Sequence, residues 1–300
     1  MKKYRVYQVD SFTTQKLYGN PAGVVTNADG LNDEQMQRIA RELNNSETAF
    51  ILSPKDASHD VWVRFFTPTS EVPICGHATI AAHYARAIEL GLDSTKVVQK
   101  TGAGNLLVDI NRCGNDYSIV MTQGEIKIGE PFSWQIVQKL TEALGIKSDD
   151  LNSKCPVCIA STGHSKVMIA INSNSVLHSL KPNFELLISL SKEIGCNGYY
   201  VFTLDQNAEI LVHGRMFAPA IGINEDPVTG NANGPLGAYL VHYELFGNSD
   251  LRSFKFKAMQ GEAIGRTGVM EVNVTKEGTR PTLVQITGRA VIVFSAELEV

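Results

Sequence analysis

The sequence predicts an α+β protein made of two similar halves. Its 300 residues exceed what most single cores organise and suit two domains of ordinary size. Segments that alternate like strands are mixed with helical segments, without the strict strand–helix alternation of a parallel α/β sheet. One motif also occurs twice, at a separation of about 150 residues, which indicates a domain duplication rather than a solenoid repeat.

The first half is predicted to place a helix of small residues at its centre. A strand at residues 5–12 and a turn at 19–21 precede a helix at 31–43, where Asn32 and Gln35 form a capping-box pattern. Residues 77–90 are rich in alanine and end at Gly91, and small residues let a helix approach a surrounding sheet closely. The other predicted strands are 48–52, 61–67, 106–110 and 117–121.

The second half repeats this mixture. Helices are predicted at 134–144, with Ser133 as the candidate cap, at 184–194, and at 231–246, ended by Gly247. Strands are predicted at 167–171, 199–204, 210–217, 269–274, 283–286 and 290–294. Glycine and proline cluster at 123–133, so we expect domains of residues 1–124 and 125–286.

Composition and charge exclude several classes of protein. The formal net charge is -4 and the basic residues are scattered, so no nucleic-acid partner is expected. The N-terminus lacks the pattern of a signal peptide and no apolar run is long enough to span a bilayer, so we expect a soluble cytoplasmic protein without membrane contact. The odd cysteine count favours reduced thiols; the cysteines are Cys75, Cys113, Cys155, Cys158 and Cys196.

The repeated motif is the most informative feature. RFFTP at 64–68 recurs as RMFAP at 215–219, and EVPICGHA at 71–78 recurs as EDPVTGNA at 225–232. In each copy proline restricts the turn, glycine permits close approach of the backbone, and the helix N-terminus offers unpaired N–H groups. Each copy is therefore a candidate carboxylate site. One copy alone would favour an ordinary strand-to-helix turn. Two copies favour a ligand site, with a constraint from the fold alone as the open alternative.

Polar groups differ between the two copies. Val72 corresponds to Asp226, and Cys75 corresponds to Thr229. A symmetric fold with unlike polar groups is expected when the two sides handle a substrate differently.

Four segments resemble the PhzF-like (phenazine biosynthesis-like) family: GNPAGVV from Gly19, SETAF from Ser46, RFFTPTSEVPICGHAT from Arg64 and EDPVTGNANGPLGAYL from Glu225. The resemblance covers essentially the whole chain in the same order. It implies the fold of diaminopimelate epimerase and proline racemase, with two pseudo-symmetric domains, each a mixed, largely antiparallel sheet wrapped around a central helix. It also implies that strand 287–300 returns to the first domain, that the active site lies between the domains, and that the protein is a homodimer.

The resemblance further implies a cofactor-independent isomerase that moves a proton on a small carboxylate-bearing metabolite. The founding activity of the family isomerises a dihydroxylated, amino-bearing cyclohexadiene carboxylate, and the acidic residue of SETAF, here Glu47, carries the proton. Judged from its own surroundings alone, Glu47 is better explained as a solvated turn residue than as a catalytic carboxylate. Its place before apolar residues 49–51 nevertheless allows partial burial, which lets a carboxyl group hold and release a proton near neutral pH.

The residues that differ between the two motif copies limit which proton-transfer mechanisms are possible. Epimerases of this fold use two opposed cysteines, whereas Thr229 corresponds to Cys75 and a threonine hydroxyl is a poor base. A single carboxylate is therefore favoured, with Cys75 as a wall of the pocket. His77 is expected to donate to the substrate or to relay a proton, and Asp226 to hold a substrate amine or hydroxyl or to orient Glu47. For both residues a purely structural role at a helix start is equally open.

The predicted catalytic residues are thus Glu47, Asp226 and His77, and the predicted substrate-binding residues are Ser46, Cys75, Gly76, Thr229, Gly230 and Asn231. No metal and no cofactor are expected. Asn231 departs from the phenazine enzymes, where the resemblance implies a small hydroxyl residue, so the substrate is not predicted.

Two alternatives to an isomerase stay open. The first is a non-catalytic metabolite-binding protein of the same fold. The second is a thiol oxidoreductase using Cys155 and Cys158, but such a pair normally opens a helix, and here it leads into a strand-like segment. The polar turn at 162–166 is a weaker candidate for ligand contact.

Overall fold

The computed structural model describes residues 2–206, 208–246 and 252–300, and in them the predicted α+β class is confirmed. Strands dominate, with few helices. Contacts divide the chain into unit 1, comprising Met1–Thr122 and Thr287–Val300, and unit 2, comprising Gln123–Ile286. Within the described residues, no helix has the length and apolar character needed to cross a membrane.

Unit 1 is a ring of paired strands around one helix. Its elements are β1 (Lys3–Ser11), β2 (Asn20–Val25), α1 (Asp33–Leu43), β3 (Thr48–Leu52), β4 (Val61–Phe66), β5 (Glu71–Val72), α2 (Gly76–Leu90), β6 (Thr95–Thr101), β7 (Gly104–Cys113), β8 (Asp116–Thr122) and the last part of β17 (Arg280–Glu299). β1 pairs with β2, and the pairing continues through β3, β4, β6, β7 and β8. β17 pairs with both β8 and β1, which closes the ring.

Helix α2 lies inside this ring. Every residue from 76 to 85 is buried, and the helix contacts β1, β2, β3, β7 and β8. A helix enclosed by strands must present small or apolar side chains on all sides, and its alanines meet that need. β17 passes close by, since a Cβ atom at Gly288 would lie 2.8 Å from ring atoms of Phe12 and 3.2 Å from Cγ2 of Ile80.

Helix α1 has the predicted capping box. The Asn32 side chain accepts from the Gln35 backbone N–H at 2.9 Å, and the Gln35 side chain accepts from the Asn32 backbone N–H at 3.0 Å. Asn44 ends the helix in the left-handed conformation, with φ 50°. This reversal sends the chain through the short loop that precedes β3.

Unit 2 also surrounds one helix with strands. Its elements are β9 (Ile126–Ile128), α3 (Trp134–Leu144), β10 (Cys158–Thr162), β11 (Ser165–Ala170), α4 (Asn174–Ser179), α5 (Phe184–Ile194), β12 (Tyr199–Leu204), β13 (Val212–Ala218), β14 (Ile223–Asp226), α6 (Gly230–His242), β15 (Ser253–Gln260), β16 (Gly268–Glu277) and the start of β17. The strands pair in the order β9, β10, β11, β12, β13, β15 and β16. Helix α6 contacts β9, β10, β11 and β16, and all of its residues from 232 to 241 are buried.

The structure corrects several predicted elements. Residues 283–286 and 290–294, predicted as two strands, belong to the single strand β17. The predicted helix at 231–246 ends at His242, because Glu244 adopts a left-handed φ of 50°. The predicted helix end at Gly247 lies outside the described residues. Ser133 precedes α3 but makes no side-chain cap hydrogen bond.

Strands β6 and β15 were not predicted. In β6 only two adjacent valines are apolar, and two of its three buried positions are Gln99 and Thr101. β15 alternates over most of its length, but lysines occupy outward positions and its last buried position is Gln260. These strands lie beside the strands on which the two motif copies begin. β6 pairs in parallel with β4, and β15 pairs in parallel with β13.

Candidate active site

Glu47 is positioned by the loop between α1 and β3. Asn44 turns the chain, and the side-chain amides of Asn45 and Gln8 exchange hydrogen bonds at 2.8 and 2.9 Å. The Glu47 carbonyl then accepts from Gly23 N–H at 3.2 Å, next to the parallel pairing of β2 and β3. The backbone on both sides of Glu47 is therefore fixed.

The first copy of the motif runs from β4 through β5 to the start of α2. Arg64 on β4 forms a two-pronged ion pair with Glu71 on β5, with N–O distances of 2.8 and 2.7 Å. Cys75 is the extended N-cap residue of α2, and its carbonyl accepts from the Thr79 hydroxyl at 2.7 Å. Cys75, Gly76 and His77 are consequently buried at the helix N-terminus.

The structure brings Glu47 and the first motif together. Oε2 of Glu47 lies 3.4 Å from Nε2 of His77, and the Ser46 hydroxyl lies 3.3 Å from the same nitrogen. Sγ of Cys75 lies 3.4 Å from Nδ1 of His77. The side chains of Glu47 and His77 are 14% and 7% exposed, so both are largely shielded yet reachable by water. Such a group can pass a proton between a carboxylate and an imidazole.

The second copy of the motif has a different set of polar contacts. Asp226 ends β14 and accepts a hydrogen bond from the Thr229 hydroxyl. Gln260, at the end of β15, donates to the Asp226 carbonyl at 2.7 Å and to the Thr229 hydroxyl at 3.1 Å, and accepts from the Thr229 N–H at 3.1 Å. Asp226, Thr229 and buried Gly230 thus form one hydrogen-bonded turn, and half-buried Asn231 follows in the first turn of α6.

A glutamine that was not predicted as a site residue hydrogen-bonds to the start of each of the helices α2 and α6 or to the motif before it. Gln99 on β6 donates to the Thr79 hydroxyl at 3.5 Å, and its amide oxygen lies 2.9 Å from Nε2 of His83. In unit 2, Gln260 accepts from Asn233 at 3.3 Å. Both glutamines lie on strands that were not predicted, and they reach the motif copies only through pairings with strands distant in sequence.

The residue four positions after each N-cap has the same role in both copies. Thr79 donates to the Cys75 carbonyl, and Asn233 donates to the Thr229 carbonyl at 3.0 Å. Asn233 is also held by the Tyr200 hydroxyl, which donates at 2.7 Å, and burial raises the pKa of Tyr200. These contacts fix the start of α2 and the start of α6.

The helix starts of α2 and α6 differ from those of α1 and α5. Asn32 and Asn183 cap α1 and α5 through their side chains, and each helix has an acidic residue in its first turn. In α2 and α6 the N-cap side chain makes no such bond and the first turn holds no acidic residue. The N-terminal N–H groups can therefore serve an anion, although α3 shares the same features.

Lys166, in the polar turn considered above, lies near enough to Asp226 for their charges to interact. Burial lowers the pKa of Lys166, and the charges of Cys196 and Asp226 oppose that shift. The sequence analysis included Lys166 in this turn as a weaker candidate for ligand contact, and its role there stays a prediction.

The cysteine pair at 155 and 158 gives no support to a redox reaction. All five cysteines are free thiols. Burial raises the pKa of both Cys155 and Cys158 to about 11, which keeps them as unreactive thiols at neutral pH. Tyr243 donates to Cys158 at 3.8 Å, as expected of a packed structural pair.

Comparison with known proteins gives the family. The family described as phenazine biosynthesis-like protein matches residues 9–296. The chain belongs to this family. It is 61% identical over 301 residues to an uncharacterized isomerase of Clostridium acetobutylicum, with 99% of each chain covered. It is 30% identical over 285 residues to the trans-2,3-dihydro-3-hydroxyanthranilate isomerase of Pseudomonas aeruginosa, with 95% of each chain covered.

Solved structures agree with this assignment. The phenazine biosynthesis protein of Bacillus anthracis, of the PhzF family, matches with a TM-score of 0.87 and 33% identity, and both chains are covered completely (100%). A hydroxyproline epimerase of Agrobacterium vitis matches with a TM-score of 0.65 at 14% identity, covering 99% of this chain and 92% of that one, which shows a shared fold alone. The predicted family resemblance is thereby confirmed. That the two motif copies serve one shared site stays a prediction.

Proposed function

We propose that this protein is a cofactor-independent isomerase that moves a proton on a small carboxylic acid, with Glu47 as the proton carrier. The observation that carries the proposal is the 3.4 Å contact between Glu47 and His77 at the uncapped start of α2. It places a shielded acid–base group beside N–H donors suited to an anion. The isomerase names of the relatives support the same reaction class.

The proposed reaction needs only proton movement. The Glu47 carboxylate takes a proton from an acidic C–H bond, the electron pair delocalises into the substrate, and the proton returns to another carbon or to the other face. The N–H groups of Gly76 and His77 hold the substrate carboxylate. The His77 ring, which the Ser46 hydroxyl contacts, holds Glu47 in position, and the Cys75 side chain lines the site. No atom is gained or lost, so no co-reactant is required.

The second motif copy is proposed to bind polar groups of the substrate. Asp226 would hold an amine or hydroxyl group, and Thr229, Gly230 and Asn231 would present the start of α6 to an anion. The bond from Thr229 to Asp226 supports this, because it engages the threonine hydroxyl and leaves the helix N–H groups without a side-chain cap. Pseudo-symmetry of the two units and homodimer formation rest on the family resemblance, and a cytoplasmic location rests on the sequence pattern. All three remain part of the proposal.

A deuterium-incorporation assay tests the proposal. A panel of cyclic and amino-bearing small carboxylic acids is incubated with protein in ²H₂O and EDTA, and each acid is analysed by mass spectrometry. Because Glu47 is partly exposed, its proton exchanges with solvent, so a substrate should gain one deuteron. Glu47→Gln should abolish the label. Glu34→Gln is the matched control, since Glu34 is 72% exposed on α1 and should label like wild type.

The non-catalytic alternative predicts a different result. A pure binding protein would retain one of these acids with equal affinity in wild type and Glu47→Gln, and neither protein would label it. That outcome would overturn the isomerase proposal.

A further inference from the structure

Three metal-ligating side chains of different kinds meet at the start of α2. One donor atom from each of Glu47, Cys75 and His77 lies within 4.8 Å of the other two. Among the residues the structure describes, no other group of three such side chains has its donor atoms so close together. The sequence analysis expected no metal.

We propose that Glu47, Cys75 and His77 bind a single thiophilic divalent cation, with Zn²⁺ as the best match, and that this cation inhibits the enzyme. Cation binding stands on the geometry alone, whereas inhibition rests on the proposed function of Glu47. A coordinated carboxylate cannot accept a substrate proton. The cation would therefore compete with catalysis rather than assist it.

The distances suit a tetrahedral ion after small adjustments. Zinc bonds to sulfur, nitrogen and oxygen imply ligand-to-ligand separations of about 3.3 to 3.6 Å. Nε2 of His77 lies 3.4 Å from Oε2 of Glu47 and 4.0 Å from Sγ of Cys75. The donor atoms of Cys75 and Glu47 lie within 4.8 Å of each other. Ion binding would shorten the longer separations by rotation of the imidazole and of the Glu47 carboxylate about their soft terminal torsions. The fourth position is left for water, as in zinc sites that keep one position open.

The donor set selects the kind of cation. Thiolate and imidazole ligands favour Zn²⁺, Co²⁺ and similar ions, while Mg²⁺ and Ca²⁺ prefer oxygen ligands alone. Binding forms a metal–sulfur bond and releases the thiol proton to water. The thiolate and the carboxylate then balance the two positive charges of the ion.

Anaerobic titration with Co²⁺ tests the proposal on the reduced full-length protein. Wild type should bind one equivalent and show a thiolate-to-Co²⁺ charge-transfer band, which Zn²⁺ removes and Mg²⁺ does not. Cys75→Ser should lose the band, and Glu47→Gln should weaken binding by at least about tenfold. Cys113→Ser removes the exposed thiol and should behave like wild type.

Several results would overturn the proposal. A band that persists in Cys75→Ser would place the ion on another thiol, and wild type that binds no Co²⁺ or binds it without the band would exclude the site. Should Cys75→Ser fail to fold by circular dichroism, Cys75→Ala and Glu47→Gln carry the same test. The titration contains no substrate and the deuterium assay contains EDTA, so failure of either is distinguishable from failure of the other. In a separate deuterium assay without EDTA, Zn²⁺ should abolish deuterium incorporation, and EDTA added afterwards should restore it.

Discussion

The ion pair between Arg215 and Glu225 should stabilise the protein far more than its counterpart in the first motif copy. Arg215 donates twice to Glu225, at 2.9 and 2.7 Å, and its other terminal nitrogen donates to the carbonyls of Leu177 and Leu180 at 3.0 Å each. The side chains of Arg215 and Glu225 are only 8% and 13% exposed. Replacing Arg215 therefore leaves a buried carboxylate without its charged partner and removes one donor from each of two carbonyls.

The expected cost follows from this burial. Removing one partner of a buried pair costs about 3–5 kcal/mol, so Arg215→Met should lose about that much stability. Arg64 is similarly paired, but its partners Glu71 and Asp33 are 44% and 80% exposed. Water can solvate those carboxylates, and Arg64→Met should cost about 1 kcal/mol. Both arginines also lie over aromatic rings, so replacement by methionine changes a similar packing contact at each position.

Urea unfolding followed by circular dichroism measures the free energy of unfolding of each variant. The double variant Arg215→Met, Glu225→Gln should recover part of the loss, because it removes the unpaired charge. Equal costs for Arg215→Met and Arg64→Met would refute the reasoning that burial of the partner carboxylate sets the magnitude.

Three further predictions concern stability. Asn32→Ala removes the α1 cap and should cost about 1 kcal/mol in urea unfolding, and no loss would show that the capping box contributes nothing. Gln260→Leu deprives the second motif of its hydrogen-bond partners and should cost about 1–3 kcal/mol, whereas a neutral effect would mean that water replaces the amide. The His213–Glu262 pair raises the pKa of His213 above 6.5 and lowers the pKa of Glu262 below 4.5. Its stabilisation is therefore lost as pH rises through the raised histidine pKa and as pH falls through the lowered glutamate pKa. The stability difference between wild type and His213→Gln should be largest between about pH 4.5 and 6.5 and smaller at pH 8, and a difference that does not vary with pH would contradict it.

Local patterns in the sequence predicted much of the secondary structure. The capping box of α1 and the alanines of α2 are short-range signals, and both elements are present. β17 was divided in two because Gly288 interrupts its apolar pattern, yet the glycine is needed where the strand passes Phe12 and Ile80. That requirement is a long-range contact, which no local pattern reveals.

The sequence predicted part of the candidate site, as it predicted part of the secondary structure. The repeated motif and the family resemblance selected Glu47 and His77, which the structure places in contact. The positioning residues Gln99 and Gln260 act across strand pairings distant in sequence, so the local sequence gave no reason to choose them. The meeting of Glu47 with Cys75 likewise depends on β3 and α2 lying side by side.

The most direct test of the central claim is the rate of solvent deuterium incorporation by Glu47→Gln compared with wild type, on a substrate found in the panel and in the presence of EDTA. If Glu47 carries the proton, the substitution should lower the rate by at least about 10²-fold while the variant unfolds like wild type. An unchanged rate would contradict the account, because the proton would then travel through another group.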